Sequence, residues 1–500
     1  MSGDHRLQRS RIMKSAKAIA LNGVIVDSIA RLASSHPRRI AVIRDCGKTT
    51  FAELDGHARR MAGWLAGRGL HPGGMVGITL QDEYDHLVTC LALMYLGCSQ
   101  ITLAHNEPPA MRSALASRCR VSCVITNDMP CGQSTGDALI PDFEEILADG
   151  PLGDKSPGHN NPEAVVLLPS SGTTGRPKII PCTQEQLFRY GLQCLPELSV
   201  ILGPASIESN VGKWSHLANL ARGRTLVFRD PLRSSLAETC RRHGVTLINL
   251  APSQALSLLR EFDSESEGPA FDGVRFSVGG APVPGALRQE IQRRLTGSLF
   301  VLYGATECGN ATEAGPETHA DHPDSTGRPL PGIEIGIVDD AGRALPAGEP
   351  GFIRIRGGGC ATGYFDDEEA SARAFRAGWF HPGDMGRLTA DGMLIFSGRG
   401  DDMMVLNTIN IFPAEIEAVA AGFPGIRDCA AFPLRSEAYG DIPMLAVVPG
   451  EGFDSRALLD HCRERLGTRS PRKIVHVDHI PRNAMGKVMR RELAKLGGAS

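Results

Sequence analysis

The sequence predicts an α/β fold: a large N-terminal domain of layered α/β sheets with a small β subdomain, then a smaller mobile α+β C-terminal domain. Three observations predict it. Helix-spaced and strand-like apolar segments alternate between about Ile25 and Asp128. A stretch of short strands punctuated by Gly and Pro follows at 327–359. After a second punctuation, at Gly398-Arg399-Gly400-Asp401-Asp402, comes a compact segment of about a hundred residues, enough for a core of its own.

Taken in order, Leu54, Ala58, Met61, Ala62 and Leu65 recur at the spacing of one helix face, and Met75 to Leu80 reads as a short strand. Leu87 to Leu96 repeats the helical pattern, and strand-like CSQITL and VSCVITN follow. Strands alternating with helices argue for parallel sheets. The Gly/Pro/Asp/Ser-rich stretch 150–162 introduces a new segment, and no internal repeat or low-complexity block appears. The expected organisation is an N-terminal domain over 1–398, a hinge at 399–402 and a mobile domain over 403–500.

Composition excludes several functions. Lys+Arg 53 against Asp+Glu 56 leaves a net charge of −3, too balanced for a chain that binds nucleic acid or an anionic membrane surface. Aromatics at 5% leave little for base stacking. The longest apolar run, Leu87 to Cys98, falls well short of the roughly 20 residues of a spanning helix. The first twenty residues carry basic side chains but no continuous apolar core or cleavage site, so they read as a solvated tail rather than a secretory leader. The 13 cysteines are scattered and contain no CxxC pair. That usage suits reduced, buried thiols and a cytoplasmic location, with no metal held through sulfur.

The most informative segment is Leu167-Leu-Pro-Ser-Ser-Gly-Thr-Thr-Gly-Arg-Pro-Lys178. An apolar strand, Ala164 to Leu168, runs into hydroxyls, glycines and a lysine. Gly172 and Gly175 let successive N–H groups face one anion. Ser170, Ser171, Thr173 and Thr174 add hydroxyl donors, and Lys178 adds charge. Polyphosphate is the natural ligand, although the Walker A pattern is absent. In isolation such a loop also reads as a flexible linker.

Four further segments accompany it in order: Val278-Gly-Gly-Ala-Pro282, Tyr303-Gly-Ala-Thr-Glu307, Gly378-Trp-Phe-His-Pro-Gly-Asp384 with Gly398-Arg399, and Pro481-Arg-Asn-Ala-Met-Gly-Lys487. With them the chain resembles the adenylate-forming superfamily: acyl-CoA and aryl-CoA synthetases, standalone adenylation enzymes and firefly-type luciferases. The resemblance runs from about residue 25 to 495 and implies an ATP- and Mg²⁺-dependent enzyme. Such an enzyme joins a small carboxylic acid to the α-phosphate of ATP, expels pyrophosphate and passes the acyl group to a thiol. CoA or a carrier-protein phosphopantetheine is the implied acceptor.

The resemblance also implies roles. Residues 170–178 would hold the departing pyrophosphate. Thr306 would contact the α-phosphate, and Glu307 would ligate Mg²⁺, a hard ion that takes oxygen ligands. Gly279, Gly280 and Ala281 are small enough for adenine to lie on the backbone, with Tyr303, followed by Gly304, on its other face. Asp384 and Arg399 would hold the ribose. Lys487 would bridge carboxylate and phosphate in the transition state, and Asp401 would be the hinge, with Asp402 as the chemical alternative. Gly452-Phe-Asp-Ser455 imitates a carrier-protein serine, but a helix N-cap at Ser455 or Asp454 is the better reading. His216 and His381 read as pocket or surface residues.

The pattern departs from the family in two places. Where amino-acid-activating members carry an Asp, this chain has Asn210, and the Phe-His of many CoA ligases is missing. A neutral acyl or aryl acid is therefore expected, with Asn210 and Trp214 in its pocket. Glu208 leaves an amino acid open. In Thr408-Ile-Asn-Ile-Phe-Pro-Ala-Glu-Ile-Glu417, Thr408 replaces the glycine that usually lines the pantetheine tunnel, which sets the thiol acceptor in question. A luciferase-like oxygenase would share the nucleotide motifs. A nucleotide-binding regulatory protein would not need both Lys487 and Glu307.

Overall fold

The computed structural model describes residues 25–127, 137–148, 164–170, 177–190, 195–196, 198–203, 205–230, 232–262, 268–406, 409–436, 440–482 and 488–497. The alternating first segment forms parallel α/β layers, as expected. Helix α1 (Glu83–Leu96) is apolar on all sides and buried along nearly its whole length. It starts at Asp82, whose carboxylate accepts from the Tyr84 and Asp85 amides, and stops at Gly97, where φ is 67°. That left-handed cap is one that glycine adopts without strain.

Six strands form one sheet, in the order Asp137–Leu139, Cys123–Thr126, Met75–Thr79, Ser99–Thr102, β1 (Val165–Ser170) and β2 (Lys178–Thr183). All neighbours are parallel except the last pair, a hairpin. After it come α2 (Gln184–Tyr190) and α3 (Asn210–Ala221), both packed between sheets, with Leu187, Tyr190, Leu217 and Leu220 in the main core. A second sheet of nine strands runs through Leu247–Leu250, β3 (Arg275–Val278), β4 (Leu299–Ala305) and β5 (Gly309–Ala314). Its centre is parallel, and the hairpin of β4 and β5 is antiparallel.

The Gly/Pro-rich stretch is a β subdomain, as expected. Its antiparallel sheet pairs Ile333–Val338 with Gly351–Gly357 and continues into β6 (Asp384–Leu388) and β7 (Leu394–Arg399). A short 3₁₀ turn, Gly400–Asp402, leads to the last sheet and to α4 (Pro413–Ala421), α5 (Ser455–Leu466) and α6 (Arg490–Gly497). This smaller domain has its own core on both sheet faces. Ala431, Leu445 and Val447 face Ile416 and Leu458, while Ala430, Phe432 and Ala446 face Ile480 and Leu493. Period-two alternation along paired strands assigns the two sets to opposite faces.

The carrier-like serine is resolved as predicted. Asp454 is the N-cap of α5, accepting from the Arg456 and Ala457 amides, and Ser455 is the first helical residue. No helix among the described residues is long and apolar enough to cross a membrane. Every described cysteine is free.

His216 of α3 is 3% exposed and packs edge-on against Phe228, ring centroids 5.3 Å apart. Burial pushes its pKa from 6.5 down to about 4. The folded chain thus holds this ring neutral while the unfolded chain takes up a proton. Its contribution to stability is complete above pH 6.5 and is lost as pH falls toward about 4. His216→Gln should therefore show a shallower fall of Tm with acidification across that window. Equal slopes in wild type and variant would refute this.

Candidate active site

The two ends of the Gly-rich segment are pinned together. Ser170 and Lys178 face each other across the hairpin of β1 and β2. Ser171, Gly172, Thr173, Thr174 and Gly175 lie outside the described residues. Asn210, the first residue of α3, donates its side-chain N–H to the Pro169 carbonyl at 2.5 Å. Ser209 caps the same helix through the Gly212 amide. The start of α3 is thereby fastened to the root of the loop. Asn210, predicted as a pocket residue, has its amide N–H committed to this contact.

The Tyr303–Glu307 segment occupies the end of β4 and the tight turn into β5. A β-carbon on Gly304 would stand 2.1 Å from the Gly309 carbonyl oxygen, so only glycine permits this approach. Beneath the turn, the Tyr190 hydroxyl donates to the Thr306 carbonyl at 2.9 Å. Trp214 packs edge-on against Tyr190 with ring centroids 5.8 Å apart, and is 9% exposed. Trp214 thus supports the Thr306 turn from below and exposes little surface to any ligand. Tyr190 had no signal in the sequence, because its importance lies in what the fold brings above it.

Glu307 is half-buried, and burial raises its carboxyl above the usual range, while a hydrogen bond from Tyr364 and the charge of Lys178 work the other way. Tyr364 donates its hydroxyl to Glu307 Oε1 at 2.9 Å. The Lys178 ammonium stands over the Tyr364 ring, 4.9 Å from its centre. Tyr364 was not anticipated from the sequence; its only mark is its place in Ala361-Thr-Gly-Tyr-Phe365.

The buried side chain of Asp384 lies at the start of β6, opposite Arg399 at the end of β7. Its Oδ2 accepts from the Tyr303 hydroxyl at 2.7 Å, and its Oδ1 lies 3.5 Å from Arg399 Nη1. Burial, then the neighbouring Asp384, raise the Tyr303 pKa well above its ordinary value, so the phenol stays a donor. Burial opposes the charge of Arg399, but Asp384 and Asp401 outweigh it and hold its pKa above normal. A carboxylate has about four acceptor sites, so Asp384 can serve more than one donor at once.

The small-residue segment follows β3. Gly279 packs against Leu302 of β4, whose carbonyl oxygen would be 3.0 Å from an added β-carbon. Gly280 has φ +85° and open space where a side chain would stand, and Ala281 is exposed. The Tyr303 ring lies 5.5 Å from the Phe396 ring, which covers part of its surface.

At the expected hinge, Arg399 Nη2 donates to Asp401 at 2.9 Å, while Asp402 lies 4.0 Å from Arg490 of α6. Lys487 and Thr408 lie outside the described residues. The flanks of 483–487 are joined, however: Arg482 bridges to Val488, and the Met489 amide donates to the Pro481 carbonyl at 2.8 Å.

Glu208 is already engaged within the fold. His105 takes both of its oxygens, through its backbone N–H at 2.9 Å and its ring Nδ1 at 2.5 Å. His381 is a half-buried residue at the edge of the β subdomain, and His216 lies in the core.

A lysine-ended loop hairpin, a half-buried carboxylate and a carboxylate–arginine pair thus meet along strand ends of three sheets. The chain belongs to the AMP-binding enzyme family: the family model matches residues 29–365, and the model for the AMP-binding enzyme C-terminal domain matches 415–487. It is 27% identical to 2-succinylbenzoate–CoA ligase of Bacillus subtilis, over 91% of this chain and 95% of that protein. It is 28% identical to feruloyl-CoA synthase of Amycolatopsis sp., over 94% of this chain and 98% of that protein. Among solved structures, o-succinylbenzoate CoA synthetase from Bacillus subtilis, in complex with its acyl-adenylate intermediate, superposes with a TM-score of 0.81 at 26% identity. The match covers 93% of this chain and 97% of that one. The same enzyme has been solved with ATP and a magnesium ion, with a TM-score of 0.80 at 26% identity and coverage of 93% and 98%.

Proposed function

We propose that this enzyme activates a carboxylic acid, acyl or aryl, with ATP and Mg²⁺ as acyl-AMP and then transfers the acyl group to the thiol of CoA. The observation that carries the reading is the convergence of Lys178, Glu307 and Asp384. Three separate motifs meet through Tyr364 and through the Tyr303–Glu307 turn. Two anions must approach each other in the first step, so preorganised positive charge supplies much of the catalysis.

In this reading Ser170, the glycine-rich residues after it and Lys178 hold the departing pyrophosphate, and Thr306 contacts the α-phosphate. Glu307 presents an all-oxygen, half-buried carboxylate that suits Mg²⁺. When bound, the ion would neutralise phosphate charge. The open, flat surface over Gly280 receives adenine beside Tyr303, and Asp384 with Arg399 holds ribose. Lys487 closes the site from the C-terminal domain, which swings about 399–402, with Asp401 at the pivot. Pairing of Asp401 with Arg399 and of Asp402 with Arg490 supports that boundary, because the two acids reach opposite domains. A carrier-protein phosphopantetheine is the finer alternative acceptor, motivated by Thr408.

Carboxylate-dependent exchange of pyrophosphate into ATP, screened over fatty, aryl and amino acids, tests the reading. No exchange with any acid would refute it. Within that screen, an α-amino acid should show a lower kcat/KM than the matching acid without the amine. Asn210 is uncharged and Glu208 is taken by His105, so a buried ammonium would find no carboxylate partner there. A clear preference for the amino analogue would overturn this expectation.

A further inference from the structure

Tyr364 stands between two charges that the proposed chemistry needs separately. Its hydroxyl holds Glu307 Oε1 at 2.9 Å, and its ring lies beneath the Lys178 ammonium at 4.9 Å, inside the roughly 6 Å range of a cation–π contact. The tyrosine itself is held from several sides. Its backbone N–H donates to Ser371 Oγ at 2.8 Å, and its ring meets Phe375 edge-on at 5.2 Å. Nearby, the Ala361 amide donates to the Glu307 carbonyl at 2.7 Å, fastening this segment to the Glu307 turn.

Lys178 lies close enough to favour the charged form of Glu307, yet the two make no ion pair among the described residues. Without the Tyr364 ring beside it, the lysine would be free to close on the half-buried carboxylate. The resulting pair would consume both the phosphate-binding cation and the metal-binding oxygen. A neutral aromatic spacer prevents that. By occupying one oxygen of Glu307, its hydroxyl also leaves the other to point elsewhere.

Resting on the adenylation reading, we propose that Tyr364 is a positioning residue. Its ring keeps Lys178 from neutralising Glu307, and its hydroxyl orients the Glu307 carboxylate toward a divalent cation.

ATP binding to the full chain, measured by calorimetry with and without Mg²⁺ and with no acid present, tests both parts. Tyr364→Phe keeps the spacer and loses the donor. ATP affinity without Mg²⁺ should stay at the wild-type value, while the gain on adding Mg²⁺ should fall about tenfold, the scale of one hydrogen bond to a charged group. Tyr364→Leu loses the spacer too. Its ATP affinity without Mg²⁺ should drop to that of Lys178→Met, and combining the two substitutions should cost little more, because Lys178 is already sequestered. A wild-type response to Mg²⁺ in the Phe variant overturns the role of the hydroxyl. Additive losses in the double variant, with its fold intact by circular dichroism, overturn the role of the ring. Should the Leu variant fail to fold, Tyr364→Met carries the same comparison. If wild type shows no ATP binding with Mg²⁺, the adenylation reading itself falls, which is a distinct outcome.

Discussion

Lys487→Ala is expected to slow acid-dependent pyrophosphate exchange by about 10²–10³-fold, the loss typical of one preorganised charge-stabilising donor. ATP binding should change little, as should acyl transfer from supplied acyl-AMP. The reason is where the charge is needed. In the proposed constellation Lys178 would serve the phosphate end, and nothing else brings a cation to the junction of acyl carboxylate and α-phosphate. Lys487 comes from a domain with its own core, and the flanks of its segment are joined by the Arg482–Val488 bridge. A rigid domain can deliver that ammonium for one step and withdraw it for the next. An interaction made mainly in the transition state lowers kcat rather than affinity. Exchange at the wild-type rate in the variant would refute the assignment.

The layers of the fold were legible because local pattern and tertiary demand agree in them. The Leu54–Leu65 face became the helix Phe51–Ala66, and Met75–Leu80 became the strand Met75–Thr79. Gly304 was legible for a similar reason, since a β-carbon there would stand 2.1 Å from the Gly309 carbonyl oxygen.

What stayed hidden are contacts between segments far apart in the chain. Tyr364 reaches Glu307, Tyr190 reaches the Thr306 carbonyl, and His105 captures Glu208, and none leaves a local trace. These contacts also revise two expectations. Asn210 ties a helix to the loop root, and Trp214 packs on Tyr190 beneath the Thr306 turn, so both have structural contacts that their expected pocket role did not foresee. In the amino-acid alternative a substrate ammonium would have to compete with His105 for Glu208.

Asp384→Ala is expected to weaken ATP binding by about 10- to 100-fold, with the KM for the acid nearly unchanged. Three effects follow from the loss of this carboxylate. The ribose loses its proposed acceptor. The Tyr303 hydroxyl, buried and 2.7 Å from Asp384, loses its partner, and leaving a buried donor unsatisfied costs about 1–3 kcal/mol. Arg399 loses one of the two carboxylates beside it and turns wholly toward Asp401. The second effect concerns the fold rather than the ligand, so a companion variant separates them. Asp384→Asn can still accept from Tyr303, and it should keep the wild-type Tm while losing much of the ATP affinity, since a neutral amide accepts less strongly from ribose and no longer faces Arg399 as a charge. Tyr303→Phe should do the reverse for the hydrogen bond, sparing the acceptor sites on Asp384. Equilibrium binding of ATP and thermal melts on the three variants decide the matter. If Asp384→Asn binds ATP as wild type does, Asp384 braces Tyr303 and Arg399 without touching nucleotide, and the ribose must be held elsewhere.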